Sequence, residues 1–455
     1  MRYRYRNEEE MNDSNIEWIG DIPYKWKTIS LKHVITEVID NRGKTPPIQE
    51  SGIPLLEIDS LVGENYNPNI EIVSKFISKE TYQYFLRKYL ESGDILFATV
   101  GSIGRIGIVP DKFNYCIAQN IVGFRGDRNK IISKYLLFYM LSDAFQNTMM
   151  QYNKGNIQDS IKISNLIQGK ILLPRLSEQN KIAKFLDEKT AQFDSIISKK
   201  QELIQKLEEA KKSLISEVVT GKVKVVKTSD GYDLVERKKE EMKESSVEWL
   251  GNIPKSWNTT KLKFKTSQIN RGKSPEYVEE SNIKVINQAC IYWDKFKFQN
   301  VKYQDENIKG DRGKLYKGDI LVNSTGTGTL GRANIFNEEG DFIVDSHVTI
   351  IRCFEIEYAK YLKNVLRTDL FQGLIYSTMV TGSTNQIELS REGLRNMTVL
   401  DLNNEELIII NDLLDLRIND INNTIMKTYI QIDKIKEAKQ SLISEAVTGK
   451  IEVLD

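Results

Sequence analysis

The sequence predicts an α+β protein written twice over: two mixed globular domains separated by two long coiled-coil helices, in a pseudo-twofold internal repeat. Three observations predict it. A Glu-Trp-x-Gly-x-Ile-Pro segment at 17–23, followed by Trp26, returns at 248–254, followed by Trp257. Further matches keep their order: Asn-Arg-Gly-Lys-Thr/Ser-Pro at 41–46 and 270–275, Gly-Asp-Ile-Leu at 93–96 and 318–321, and Gly104-Arg105 with Gly331-Arg332. Each copy closes in a stretch without Pro or Gly, 177–220 and 404–448, and the shared ending Glu-Ala-Lys-x-Ser-Leu-Ile-Ser-Glu-x-Val-Thr-Gly-Lys carries each stretch into its closing glycine, at 209–222 and 437–450.

Taken in order, residues 1–175 mix short β-branched and aromatic runs with Gly, Asn and Pro breaks, the pattern of strands with a few helices. The paired tryptophans beside Ile-Pro are expected to seal a core. Residues 176–222 form a first long helix, with Gly221 as its C-cap. Leu186, Phe193, Lys200, Leu207 and Leu214 recur every seven residues beside Ile196, Leu203 and Ala210, a seam spoiled mainly by Lys200. Residues 223–246, rich in Lys, Glu and Ser, read as a solvated linker. Residues 247–402 repeat the globe and 403–449 the helix, where Leu414, Ile421, Thr428, Ile435 and Leu442 take the heptad places beside Ile425, Ile432 and Ala438. Each helix thus carries an apolar stripe, and the other helix is the obvious partner. Antiparallel pairing would put the globes at opposite ends of a rod of roughly 60 Å, and parallel pairing side by side.

Composition narrows the function. A chain of 455 residues suits about three units. Lys and Arg total 64 against 63 for Asp and Glu, so any affinity for nucleic acid must sit in local patches. Cys116, Cys290 and Cys353 are far apart and odd in number, which excludes a disulfide framework or a CxxC zinc site and leaves buried thiols. His33 and His347 are the only histidines, too few for histidine-centred metal or acid–base chemistry. The first residues lack a signal-peptide core and no run reaches the ~20 apolar residues of a membrane span, so a cytoplasmic protein is expected.

The catalytic motifs fail one by one. Residues 326–331 match GxGxxG, but 332–336 read as a strand where a dinucleotide fingerprint needs a helix, and no HRD or DFG follows to make a kinase loop of it. Residues 43–45 and 272–274 mimic the end of a P-loop whose first glycine would fall on Val38 and Ser267. Pro46-Pro47 is followed by Ile48 and not by the aromatic ring that grips a flipped adenine. Glu-x-Lys triplets such as Glu209-Ala210-Lys211 are expected on exposed helix surface, since residues two apart do not converge.

What survives is binding. Arg42, Lys44 and Thr45, repeated as Arg271, Lys273 and Ser274, set a guanidinium, an ammonium and a hydroxyl beside a glycine, a set suited to phosphate oxygens; a tight turn with a cationic rim is the plain alternative. The glycine-rich hairpins carrying Ser102 and Arg105, and Thr327, Thr329 and Arg332, are expected to let backbone approach a partner closely. Lys154, Asn156 and Gln158, matched by Ser383, Thr384, Asn385 and Gln386, are candidates for reading base edges, because amides pair bidentately with adenine. Surface turns also collect such residues for conformational reasons alone.

The doubled Glu-Trp start, the two variable globes and the two helices with their shared ending closely resemble the specificity (S) subunit family of type I restriction-modification systems, across nearly the whole chain. The resemblance implies two target recognition domains, each reading one half of a split site in double-stranded DNA. It also implies antiparallel helices that fix the gap between the halves. Such a subunit is not itself catalytic and binds no cofactor. It docks two methyltransferase (modification) subunits, which use S-adenosylmethionine, and motor-nuclease (restriction) subunits, which use ATP and Mg. His347 standing where Asn120 stands implies that the halves read different sequences. A coiled-coil adaptor gripping proteins is the rival, and it would lack the salt-dependent affinity of a DNA binder.

Overall fold

The computed structural model describes residues 2–61, 63–152, 160–247, 249–307, 313–326, 328–381 and 387–454. Contacts divide the chain into two units, 1–201 with 429–455, and 202–428.

In the first unit, strands β1 (Ile35–Ile39), β2 (Ile95–Ala98), β3 (Ile106–Ile108) and β4 (Ile121–Gly126) form an antiparallel sheet in the order β1-β4-β2-β3. β2 is buried on both faces. Alternate residues of a strand face opposite ways, so Ile95 and Phe97 join one core, with Tyr135, Phe138 and Phe145, while Leu96 and Ala98 join another, with Leu56 and Ile117. Ahead of β2, Asp94 is 1% exposed and takes a fork of two bonds from Arg125 of β4, at 3.1 and 3.0 Å. A buried carboxylate without such a partner would cost several kcal/mol.

The second unit repeats the plan. Strands β5 (Thr266–Arg271), β6 (Ile320–Asn323), β7 (Ala333–Ile335) and β8 (Val348–Cys353) are ordered β5-β8-β6-β7, and Arg352 forks onto Asp319 at 2.7 Å for both bonds. The recurring Gly-Asp is therefore a structural signature. Each aspartate also caps the turn before its strand, accepting from the backbone N–H of Glu91 or Tyr316 at 2.8 Å.

Helices α1 (Leu176–Val219) and α2 (Asn404–Val447) are 44 residues each. In the first unit Asp194 and Lys200 of α1 bond Lys439 and Gln431 of α2, at 2.7 and 2.6 Å, numbers rising in one helix as they fall in the other, so the pairing is antiparallel. In the second unit Lys211 reaches Asn422 at 3.0 Å. Of the heptad residues, Leu186 and Leu414 are buried and Phe193, Leu207, Leu214, Ile421, Ile435 and Leu442 half-buried. On α1 the companions are corrected: Ile196, Leu203 and Ala210 are exposed, and Ile204, Lys211 and Ile215 are buried in their stead. On α2, Ile425 and Ile432 are buried as expected, but Ala438 is exposed.

Lys211 also corrects the expectation of an exposed triplet. Its side chain is 4% exposed, with Glu208 at 2.8 Å and Asp294 of the globe at 3.6 Å. Burial pushes the Asp294 carboxyl up, but Arg367 at 2.9 Å and Lys211 outweigh it and hold it below its ordinary value. The repeat-mate Lys439 pairs with both oxygens of Asp194 and lies over the Tyr66 ring of its own globe. The shared Glu-Ala-Lys is thus a bolt between helix and globe.

The tryptophans are structural, as expected. Trp26 Nε1 donates to Glu178 at the start of α1 at 3.1 Å, and Trp257 Nε1 to Glu406 at the start of α2 at 2.8 Å. The helix ends press on the same rings. Gly221, at φ +71°, lies so close to Trp257 and Pro254 that an added Cβ would meet them at 2.5 and 2.6 Å; Gly449, at φ +75°, stands likewise against Pro23 and Trp26. Beyond Gly221, residues expected as a solvated linker form a hairpin of Val223–Thr228 with Gly231–Glu236. Beyond Gly449, Ile451–Val453 pairs with Tyr3–Tyr5 in the matching place. Cys116 and Cys290 are buried and Cys353 half-buried, all free. No helix among the described residues is long and apolar enough to cross a membrane.

Candidate nucleic-acid interface

At one edge of the first globe three segments meet: the loop after β1, the turn between β2 and β3, and the turn that leads into β4. Thr99, fully buried at the end of β2, ties them together. Its N–H and hydroxyl donate to the Asn120 carbonyl at 2.9 and 3.2 Å, its hydroxyl accepts from Arg42 at 3.4 Å, and its own carbonyl accepts from the Ile161 N–H at 2.9 Å. Gln119, at φ +31°, donates its side-chain amide to the Thr45 hydroxyl. Asn41 is buried, accepting from the N–H groups of Arg87 and Lys88 and donating to the carbonyls of Lys88 and Ile117. A buried amide satisfied this fully holds a loop in one shape.

The second globe rebuilds the edge from different residues. The Ser324 N–H donates to the His347 carbonyl at 2.8 Å, and its carbonyl accepts from Leu389 at 2.8 Å. Ser274 and Ser346 bond through their hydroxyls at 3.4 Å. His347 Nδ1 meets the Thr325 hydroxyl at 2.8 Å.

The candidates divide sharply. Lys44, Lys273 and Ser102 are exposed with no side-chain partner among the described residues, as a phosphate-binding role requires. The arginines are engaged. Arg42 is forked on Asp40 at 2.9 and 3.3 Å, Arg271 holds Glu388 at 2.9 Å and the Leu389 carbonyl, Arg105 pairs with Asp59 at 2.5 Å, and Arg332 stacks on Tyr292 at 5.2 Å. Thr45 and Ser274 brace the turns just described, and Thr329 bonds the carbonyls of Thr325 and Gly326 within its hairpin. Where close approach to a partner was expected at Gly104 and Gly331, the space is taken internally by Gln146 and Gln372, which donate to their carbonyls at 3.3 and 3.2 Å. Lys154, Asn156, Gln158, Thr327, Ser383, Thr384, Asn385 and Gln386 lie outside the described residues. The chain next to two of those segments sits at this edge, since Ser160 bridges Val100 and Glu388 bridges Thr325.

Sequence reasoning did not place Gln119, Asn120, Ser346 and His347 in the site; the Asn120-to-His347 change was the only signal. Beside Gln119 and Asn120 a cavity of about 470 Å³ opens, walled by Thr45, Pro46, Glu57 and Asp59. Among the described residues no cluster of His, Cys, Asp or Glu could hold a metal. β6 and β7, on either side of the GxGxxG segment, pair antiparallel, and among the described residues no helix follows it to receive a pyrophosphate.

A mixed α+β globe with a polar edge is thus built twice, once in each unit. Residues 23–209 match the family described as type I restriction modification DNA specificity domain. The chain is similar to type I restriction-modification specificity subunits over part of its length. It is 30% identical over 213 residues to the type I restriction enzyme MjaVIII specificity subunit of Methanocaldococcus jannaschii, covering 46% of this chain and 48% of that one. It is 31% identical over 267 residues to the putative MjaX specificity subunit of the same organism, 56% of each chain. The chain thus spans about half the length of the curated relatives it matches. Its fold is that of a chain in a solved structure titled for complex assembly and conformational transition of the type I R-M system, with a TM-score of 0.63, 16% identity, and 94% of this chain and 99% of that one covered.

Proposed function

We propose that this chain is the DNA-specificity subunit of a type I restriction-modification enzyme. Each globe reads one half of a bipartite site in double-stranded DNA through the edge described above. The paired helices set the spacer and dock two methyltransferase subunits, directing N6 methylation of adenine. With motor-nuclease subunits the same complex cleaves DNA at the expense of ATP. The chain is itself non-catalytic and works in the cytoplasm; S-adenosylmethionine, ATP and Mg belong to its partners. The observation that carries this reading is the edge built twice: one bonding frame, two sets of projecting side chains, each beside an exposed lysine. Two readers of different words need that arrangement, whereas an adaptor gripping one kind of protein has no use for the difference.

The test is adenine-methylation sequencing of host DNA with the gene for this chain present or deleted. A split motif, methylated on both strands and lost on deletion, is the expected result. Methylation unaffected by deletion, with no salt-dependent DNA binding by the chain and co-purified methyltransferase subunits, would overturn the reading.

A further inference from the structure

We infer that Asn120 and His347 are equivalent base-reading residues, one in each globe, and that the difference between them is one source of the difference between the two half-sites. The inference rests on the proposed function and names where in each globe a letter is read.

The two turns are superposable as bonding patterns. In each, a residue at the end of the central strand, Thr99 or Ser324, donates its N–H to the carbonyl of the residue in question, at 2.9 or 2.8 Å. In each, the preceding residue, Gln119 or Ser346, is tied to the hydroxyl of the Asn-Arg-Gly-Lys-Thr/Ser loop, Thr45 or Ser274. Gln119 reaches that bond at φ +31°, a conformation that non-glycine residues adopt only when their surroundings impose it. The backbone is therefore held from two sides, and what it holds out is an exposed side chain. The frame is kept between the repeats and the tip is changed, which is how a reader differs from a structural turn.

The chemistry of the tips is specific. The Asn120 amide is exposed and has no partner among the described residues, so donor and acceptor are both available for the N7 and N6 positions of an adenine in the major groove. His347 is exposed, and its Nδ1 meets the Thr325 hydroxyl at 2.8 Å, which fixes the ring and leaves Nε2 without a partner among the described residues. One nitrogen makes one bond, as donor to N7 or O6 of guanine or as acceptor from an exocyclic amine according to the ring's tautomer, whereas an amide makes two. Lys44 and Lys273, each immediately before the braced residue Thr45 or Ser274, supply sequence-independent phosphate contacts beside each tip.

The experiment uses the full chain co-produced with its methyltransferase subunits, as wild type, Asn120→Ala, Asn120→His, His347→Ala and Lys44→Ala. Methylated motifs are mapped, and binding is measured to duplexes varied one base pair at a time. For Asn120→Ala the motif should relax at one position of one half-site, with the other half-site and the spacer intact, and affinity for the parental sequence should fall roughly ten- to a hundredfold. Asn120→His should change the preferred base there. His347→Ala should relax one position of the other half-site. Lys44→Ala should weaken all duplexes alike and leave the motif unchanged. An unchanged motif in both alanine variants, or a loss of binding equal for all sequences, overturns the assignment while leaving the proposed function standing. A wild-type complex that neither methylates a split motif nor binds DNA overturns the proposed function itself, and this inference with it. Thermal melting of every variant separates a lost contact from a lost fold.

Discussion

Gly221→Ala tests the way each helix is seated against a globe, with Gly251→Ala as its control. Both glycines have positive φ, +71° and +61°, so alanine at either takes a left-handed conformation costing about 1–2 kcal/mol. Only Gly221 is crowded. Its added Cβ would fall 2.5 Å from the Trp257 ring and 2.6 Å from Pro254, whereas at Gly251 nothing lies within 4 Å. Trp257 is 2% exposed and fixed through its Nε1 to Glu406, so it does not give way freely, and overpacking of this kind costs about 1–3 kcal/mol more. Gly221→Ala should therefore be less stable than Gly251→Ala by about 2 kcal/mol, a gap of roughly 4–8 °C in the melting temperature of a unit this size. Differential scanning calorimetry of the full chain, checked by urea unfolding followed through tryptophan fluorescence, measures it. The first unit offers an internal replicate, since Gly449 is crowded by Pro23 and Gly20 is open. Equal losses within both pairs would refute the claim that the helix ends are wedged against the rings.

Lys211→Met should destabilise the second unit by about 2 kcal/mol, because it leaves Asp294 and Glu208 short of a cation; the buried-pair cost is discounted here for the partial exposure of both carboxylates, 40% and 46%. Calorimetry reads it, and no loss would mean the lysine is merely covered. Because Asp294 titrates below its ordinary value when folded, its contribution is complete above the unfolded pKa near 4 and disappears as pH falls through the folded value. Urea midpoints of wild type and Asp294→Asn should therefore differ by a constant amount from pH 7 to about 4.5 and converge in stronger acid. Burial pushes the thiols of Cys116 and Cys353 up to about 12, and that of Cys290 up as well, so a thiol reagent at pH 8 should label all three only after urea is added. Alanine at Lys44 or Lys273 should each lower the slope of log affinity against log salt by about 1, while Arg42→Ala, which breaks an internal pair, should show its effect first in the melt.

The repeat and the long helices were legible in the sequence because their markers are rare residues at fixed spacing: tryptophan, Gly-Lys, Glu-Ala-Lys. What those markers do was less so. The companion residues on α1 were read one place early, at Leu203 and Ala210 instead of Ile204 and Lys211, because nothing local marks a lysine for burial; Asp294, a partner 83 positions away, meets Lys211 there. Of the arginines that looked available, Arg42 is taken by Asp40 two residues away, whereas Glu388 and Asp59 reach Arg271 and Arg105 only through the fold. At Asn120 the change of residue was legible but the bracing was not, since Thr99 lies 21 residues from Asn120 and Thr45 lies 74 from Gln119.

The fittings at the root of each globe are nearly identical: an indole donating to a glutamate at the foot of a helix, a glycine wedged under the ring, a lysine bolted into a carboxylate. The tips share only their frame. Because the sequence is also closely alike at the fittings, they are natural points for homologous exchange between genes. A crossover there delivers a new head already fitted to its mount, so one globe can be replaced without the fold being reinvented.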